Sequence, residues 1–193
     1  KAMGIEAEDV KDHPHVKLSE GHFFETGLFV AMAKMSSVLL SEERFRRGLQ
    51  LTREIVHAGG ITTIADMSAG GFDFDSSWPL VSEVFGDAPF RTLMVANGNA
   101  FGAPAGGAKS LARLQTLQQL QSGNISWVKQ VKLFADGAFY SQLMQMNPPG
   151  YLDGHKGEWL MEPKALMTVA RRYWQAGYQI HVHTNGDRGV DVV

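Results

Sequence analysis

YQIHVHTNGDRGVDVV, residues Tyr178–Val193, is the stretch on which the fold turns. An apolar-flanked strand runs straight into an Asn/Gly/Asp turn, and the turn opens a helix. That is the start of a β/α unit. Side chains alternate along a strand with period two, so His181 and His183 share one face. Two imidazoles at the carboxyl end of a parallel strand suit zinc or a similar divalent ion. Histidines there also serve as hydrogen-bonded core or rim residues, and the pattern alone leaves both readings open. GDRGVDVV supplies only the first turn of its helix, whose backbone groups then lack partners. The chain is therefore expected to be an internal fragment of a longer protein.

Working back towards the N-terminus, the same alternation recurs. ITTIADM (61–67) is a β-branched run typical of a buried strand, and a short helix is predicted from Pro79 to Phe85, ended by Gly86 and Asp87. FRTLMVANG (90–98) is a second strand. KSLARLQTLQQLQS (109–122) is a helix with Leu111, Leu114, Leu117 and Leu120 spaced by three, ended by Gly123. VKQVKLFADG (128–137) is a third strand, and Pro163 opens a further helix through Ala176. Ahead of these, Ser41 can cap a helix whose first turn carries Glu42 and Glu43, with Phe45, Leu49, Ile55 and Val56 near one face.

Four strand–loop–helix repeats argue for an α/β fold of parallel strands alternating with helices, joined by right-handed crossovers. They fit either a small doubly wound sheet or part of a (β/α)8 TIM-type barrel. A complete barrel takes about 250 residues, and the chain has 193. Residues 1–40 fit no β/α unit. The predicted organisation is thus 1–50 as an insertion or N-terminal extension packed on the body, and 51–193 as the β/α portion.

Composition excludes several classes. Apolar residues make up 44% and charged residues 20%, values of an ordinary globular protein. A net charge of −2 gives no reason to expect nucleic acid or an anionic membrane as partner. No apolar run approaches the roughly 20 residues of a transmembrane helix. There is no cysteine, which removes disulfides and thiolate ligands and fits a cytoplasmic protein. Any metal must be held by His, carboxylate or a modified side chain, and there are 7 histidines. His13 and His15 flank Pro14 and are expected to face solvent. His57 lies near a helix C-terminus, and His22 and His155 sit in loops that could line a pocket. GAPAGGAKS (102–110) resembles a phosphate loop, but Ala108 separates Gly107 from Lys109 where the motif needs Gly-Lys-Ser contiguous.

VKLFADG places Lys132, Phe134 and Asp136 on one face by alternation, and Val131, Leu133 and Ala135 on the other. Burying an unpaired ammonium costs several kcal/mol. Lys132 therefore either pairs or reaches water at the strand's end, or has a pKa lowered by burial. A neutral amine can add carbon dioxide and become a carbamate able to bridge two metal ions.

Together, VKLFADGAFYS, PPGYLDGHKGEW and GYQIHVHTNGDRGVD resemble the amidohydrolase superfamily. Within it they are similar to amidohydrolase family 3, the YtcJ-like metal-dependent hydrolases. The matching features are Val131-Lys132 with Asp136-Gly137, Tyr151 with Asp153, and His183 with Gly186-Asp187-Arg188. The resemblance implies a partial TIM-type barrel covering roughly strands two to five. It implies Lys132 as a carboxylated lysine and His183 as a metal ligand, with one or two divalent ions, zinc foremost, in the intact parent. His181, Asp136, Asp187 and Arg188 become pocket-lining or supporting residues. Phe139, Tyr140, Tyr151 and Trp159 fall in the loop that would shape the substrate pocket.

The family's other ligands and its catalytic aspartate have no counterpart in these residues, so no catalytic acid or base is assigned here. The expected parent is a hydrolase of C–N bonds in a small amide-type substrate, and this chain alone is expected to be inactive. A half-barrel exposes strand edges and helix faces, so association is expected. Two other readings remain: a non-catalytic regulatory or binding protein of the same family, and a small phosphate-binding α/β domain.

Overall fold

Period two is written most clearly in the longest strand. From Ile125 to Phe134, Ile125, Trp127, Val131 and Leu133 are buried, while Ser126, Val128, Gln130, Lys132 and Phe134 are half-exposed. One face of this strand meets helices and the other stays open. In the computed structural model, which describes residues 3–39, 41–70, 74–99 and 107–193, that strand is the centre of the sheet.

Two units divide the chain, Lys1–Gly48 and Leu49–Val193. The first holds a short antiparallel pair, β1 (Val16–Lys17) and β2 (His22–Phe23), then helix α1 (Gly27–Leu39) and the start of α2 (Glu42–Ala58). The Ser41 carbonyl accepts from the Phe45 amide, so Ser41 stands at the helix entrance as its sequence suggested. His15 departs from expectation. It is buried rather than solvent-facing, because the Phe24 amide bonds the His15 carbonyl and brings the Phe24 ring to 5.3 Å from the imidazole. Its Nδ1 lies 2.6 Å from Thr26 Oγ1.

The second unit runs β3 (Thr63–Ala69), α3 (Phe74–Phe85), β4 (Arg91–Asn97), α4 (Gly107–Leu117), β5 (Gln121–Ser122), β6 (Ile125–Phe134), α5 (Pro163–Gln175), β7 (Gln179–His183) and α6 (Asp187–Val192). Strands β3, β4, β6 and β7 are parallel neighbours in chain order. A doubly wound sheet reverses its order at a switch point; these strands do not. The sheet remains open among the described residues.

Three boundaries differ from the sequence reading for physical reasons. Helix α3 begins at Phe74, upstream of Pro79, because Phe74 and Trp78 stack on one another and both pack on Trp127. Helix α4 ends at Leu117 rather than 122. The chain there turns into β5, which pairs antiparallel with the start of β6 across Gly123 and Asn124. Gly123 has φ of +56° and lies against the Gly86 backbone, leaving no room for a side chain. The third predicted strand stops at Phe134, so Asp136 leaves the alternation. Of the phosphate-loop reading at 102–110, residues 102–106 lie outside the described residues; Lys109 and Ser110 lie in the first turn of α4.

The core lies between the sheet and its helices. Val131, Leu133, Leu114, Leu117 and Tyr173 have at most 1% exposure, and Leu166 and Val169 of α5 close over them. Tyr173 donates to the Gly98 carbonyl at 2.8 Å, and its burial pushes the phenol up to about 12. Leu133→Ala should cost about 2–5 kcal/mol, read by chemical denaturation. Phe134→Ala, on the open face, should cost clearly less; equal losses would mean both faces are equally enclosed.

Candidate functional site

The parallel register sets side chains of neighbouring strands in rows. Asn97, Lys132 and His181 form one row on the open face, and Phe134 and His183 the next towards the carboxyl ends. Two residues along a strand span about 6.6 Å, so His183 stands one step above Lys132 on the adjacent strand. Asn97 extends the lower row by donating to Ser68 Oγ at 2.9 Å.

Lys132 has no carboxylate partner among the described residues, and its desolvation lowers its pKa. Its amine lies 5.5 Å from the centre of the Phe134 ring, and the His183 ring lies 5.7 Å from the same ring. Phe134 thus borders both candidate ligands. His181 is occupied differently. Gln130 donates to Gln179 Oε1 through Nε2, and its Oε1 then accepts from His181 Nε2 at 3.0 Å. His183 Nε2 accepts from Asn185 Nδ2 at 2.9 Å, which leaves its proton on Nδ1. Asn185 also donates to the Gly137 carbonyl.

Asp136 is wholly buried. It is not the open-face residue that alternation suggested. Its Oδ2 accepts from the Gln145 amide at 2.8 Å and the Gly186 amide at 2.9 Å, and its Oδ1 from the Asn185 amide at 2.9 Å. Three backbone donors around one carboxylate tie the loop after β6 to the turn after β7, directly behind His183. Asp187 makes a parallel tie. It accepts from the Asn147 amide, which holds its carboxyl below the usual range, and Asn147 Nδ2 donates to Asp191. The Arg188 guanidinium lies 6.0 Å from the Trp159 ring centre, and Trp159 bridges to Asp136 through the backbone.

The loop from Ala138 to Met161 lies beyond the carboxyl end of β6. Phe139 and Tyr140 are 66% and 80% exposed and pack edge to face. Tyr151 donates to the Met144 carbonyl and stacks on His155 at 4.0 Å; burial raises its phenol. Phe139, Tyr140 and Tyr151 thus occupy one loop, with Trp159 at its return. Gln130, Gln145, Asn147 and Asn185 carry no sequence signature of these roles, because an amide does not reveal the groups it bonds. Asn185, two residues after His183 in a turn, was the one with a local signal.

For a metal ion, the donor chemistry fits on one side only. Lys132, once carboxylated, and His183 offer two donors on one face of adjacent strands. Catalytic zinc takes three protein ligands or more, and no group of three or more His, Asp or Glu residues among the described residues is placed to hold an ion.

Removing the Asp136 carboxylate leaves three backbone amides, two of them buried, without an acceptor. Asp136→Ala should destabilise the chain by on the order of 3 kcal/mol or more. In hydrogen exchange the Gln145, Asn185 and Gly186 amides should lose protection together; loss at one alone would refute the shared clamp.

No family model and no curated protein matches the sequence. The fold is similar to part of two solved structures. One is an uncharacterized metal-dependent hydrolase from Pyrococcus horikoshii OT3, with TM-score 0.66 and 18% identity. The other is an uncharacterized metal-dependent hydrolase from Pyrococcus furiosus, with TM-score 0.65 and 20% identity. Each match covers 96% of this chain but only 37% and 39% of those structures. The chain therefore shares the fold of a portion of these proteins, and spans less than half their length.

Proposed function

We propose that this chain is the portion of a metal-dependent amidohydrolase that carries strands two to five of a TIM-type barrel. The observation that carries the reading is the placement of Lys132 and His183. They sit on one open face of adjacent parallel strands, near the carboxyl ends, where barrel enzymes build their sites. Strand order without a reversal and the likeness to metal-dependent hydrolases support it.

In this reading Lys132 works as a carbamate. The neutral amine adds carbon dioxide and releases one proton, which desolvation and the lack of a carboxylate partner among the described residues favour. His183 offers Nε2 once Asn185 turns aside, while Asp136 holds the turn that aims it. Lys132, once carboxylated, and His183 would hold a divalent ion, zinc foremost, together with ligands from outside these residues, and such an ion would offer a water of lowered pKa and a Lewis acid for a carbonyl. Phe139, Tyr140, Tyr151 and Trp159 shape a pocket for a small amide-type substrate, and Arg188 borders it beside Trp159. The remaining ligands and the group that protonates the leaving amine come from outside these residues.

The test is metal content and amide hydrolysis in a full-length protein containing this chain. Chelation should abolish hydrolysis and added zinc restore it. Lys132→Ala and His183→Ala should each lower metal affinity by at least about 100-fold, beyond the 10–100-fold typical of residues that only support ligands. Full occupancy after Lys132→Ala would remove the carbamate. Hydrolysis indifferent to chelation would remove the metal reading altogether.

A further inference from the structure

His155 lies outside the candidate metal-binding face, and the function proposed above makes no use of it. Its two ring nitrogens have fixed neighbours. Nδ1 meets the Asp153 carboxylate, and Nε2 lies 2.7 Å from the Gln142 carbonyl oxygen. Both neighbours are acceptors, so both nitrogens must carry a proton for both bonds to exist. Only the imidazolium does so. Neutral histidine can keep one bond and must turn a lone pair on the other acceptor.

An Asp–His pair is also the arrangement of a general base. Here Nε2 is spent on a backbone carbonyl rather than directed at a free volume, so the pair is structural. Its location gives it a role. Gln142 follows the turn Phe139–Ser141 that presents the exposed Phe139 and Tyr140, whereas Asp153 and His155 lie at the far side of the same loop. Tyr151 stacks on the imidazole at 19° and anchors to Met144 through its hydroxyl. The imidazolium thus cross-links the loop's outgoing arm to its return.

We propose that His155 is a proton-operated latch that folds the loop 138–160 upon itself while the imidazolium bridges Asp153 and Gln142, and loosens it when that proton leaves. The groups that face the ring are the Asp153 carboxylate, the Tyr151 phenol stacked on it, and the Gln142 carbonyl. Of titratable side chains the nearby Phe139–Ser141 turn carries Tyr140, and Lys156 follows next in the chain. Consistent with the geometry, the Gln142 carbonyl first and the Asp153 carboxylate second raise the histidine's pKa, and the same contact lowers that of Asp153. The sign follows from the raised value. The latch is fully closed below the ordinary histidine pKa, and its contribution is lost as pH rises through the raised one. Loop order would then fall towards alkaline pH.

An NMR pH titration of the whole chain, with the His155 ring signal assigned through His155→Gln, tests this without metal or substrate. His155 should titrate above the ordinary histidine value, and the Gln142, Met144 and Tyr151 amide signals should move with the same midpoint. Asp153→Asn, which leaves the imidazole in place, should shift that midpoint down towards the ordinary value. Should His155→Gln fail to fold, Asp153→Asn carries the test alone. A His155 midpoint at or below the ordinary value overturns the proposal, as do loop amides that ignore its titration. Neither result bears on whether Lys132 and His183 hold a metal, so the two readings fail separately.

Discussion

The upper end of this structure depends on a single buried carboxylate. Asp136 sits at zero exposure with three backbone amides around it, drawn from two segments far apart in sequence. A buried carboxylate survives only when its oxygens are satisfied, so the Gln145 segment and the Asn185–Gly186 turn are bound to follow it. The surrounding backbone is correspondingly tight. A methyl at Gly186 would overlap the Gln145 carbonyl, and one at Gly189 would stand 2.9 Å from Asp136 Oδ2. His183 ends β7 two residues before Asn185, so the ladder with Phe134 sets its row and the Asp136 clamp holds the turn that follows it.

Along β6 the two faces have different physics. Val131 and Leu133 face the helices and contribute hydrophobic stability. Lys132 and Phe134, between and beside them, face an open surface shared with Asn97, His181 and His183. Parallel sheets are ordinarily covered on both faces, and polar side chains here form a hydrogen-bonded network instead: Ser68 with Asn97, and His181 with Gln130 and Gln179. Such a surface stays wet enough to expose reactive groups, yet its rows are fixed by backbone pairing.

Much of this was legible in the residues. Alternation in VKQVKLF put Lys132 opposite Val131 and Leu133, and the four β/α repeats gave parallel strands in sequence order. HVH with its Gly-Asp turn correctly led into a short helix. What escaped was set by contacts between distant segments. Asp136 follows the alternation on paper, but the strand ends at Phe134 and the carboxylate turns towards the amides of Gln145 and Asn185. Helix α4 stops early because Gly123 and Asn124 make a hairpin against Gly86, although Leu120 continues the spacing by three. His15 is buried because Phe24 folds back over it. Each is tertiary packing overriding a local pattern.

The small hairpin at the foot of β6 carries a wider consequence. Asn124 accepts from Thr92 through its carbonyl, takes the Gly86 carbonyl with its amide, and donates from its side chain to Ala88. It thereby fastens the amino ends of β4 and β6 to the end of α3, well away from Lys132 and His183. Structural tolerance is therefore split along the strand axis. At Gly86 and Gly123 an added side chain meets backbone, while around Phe139, Tyr140 and Leu152 side chains project into solvent. New specificities could arise at one end of this sheet while the other keeps its strands in register.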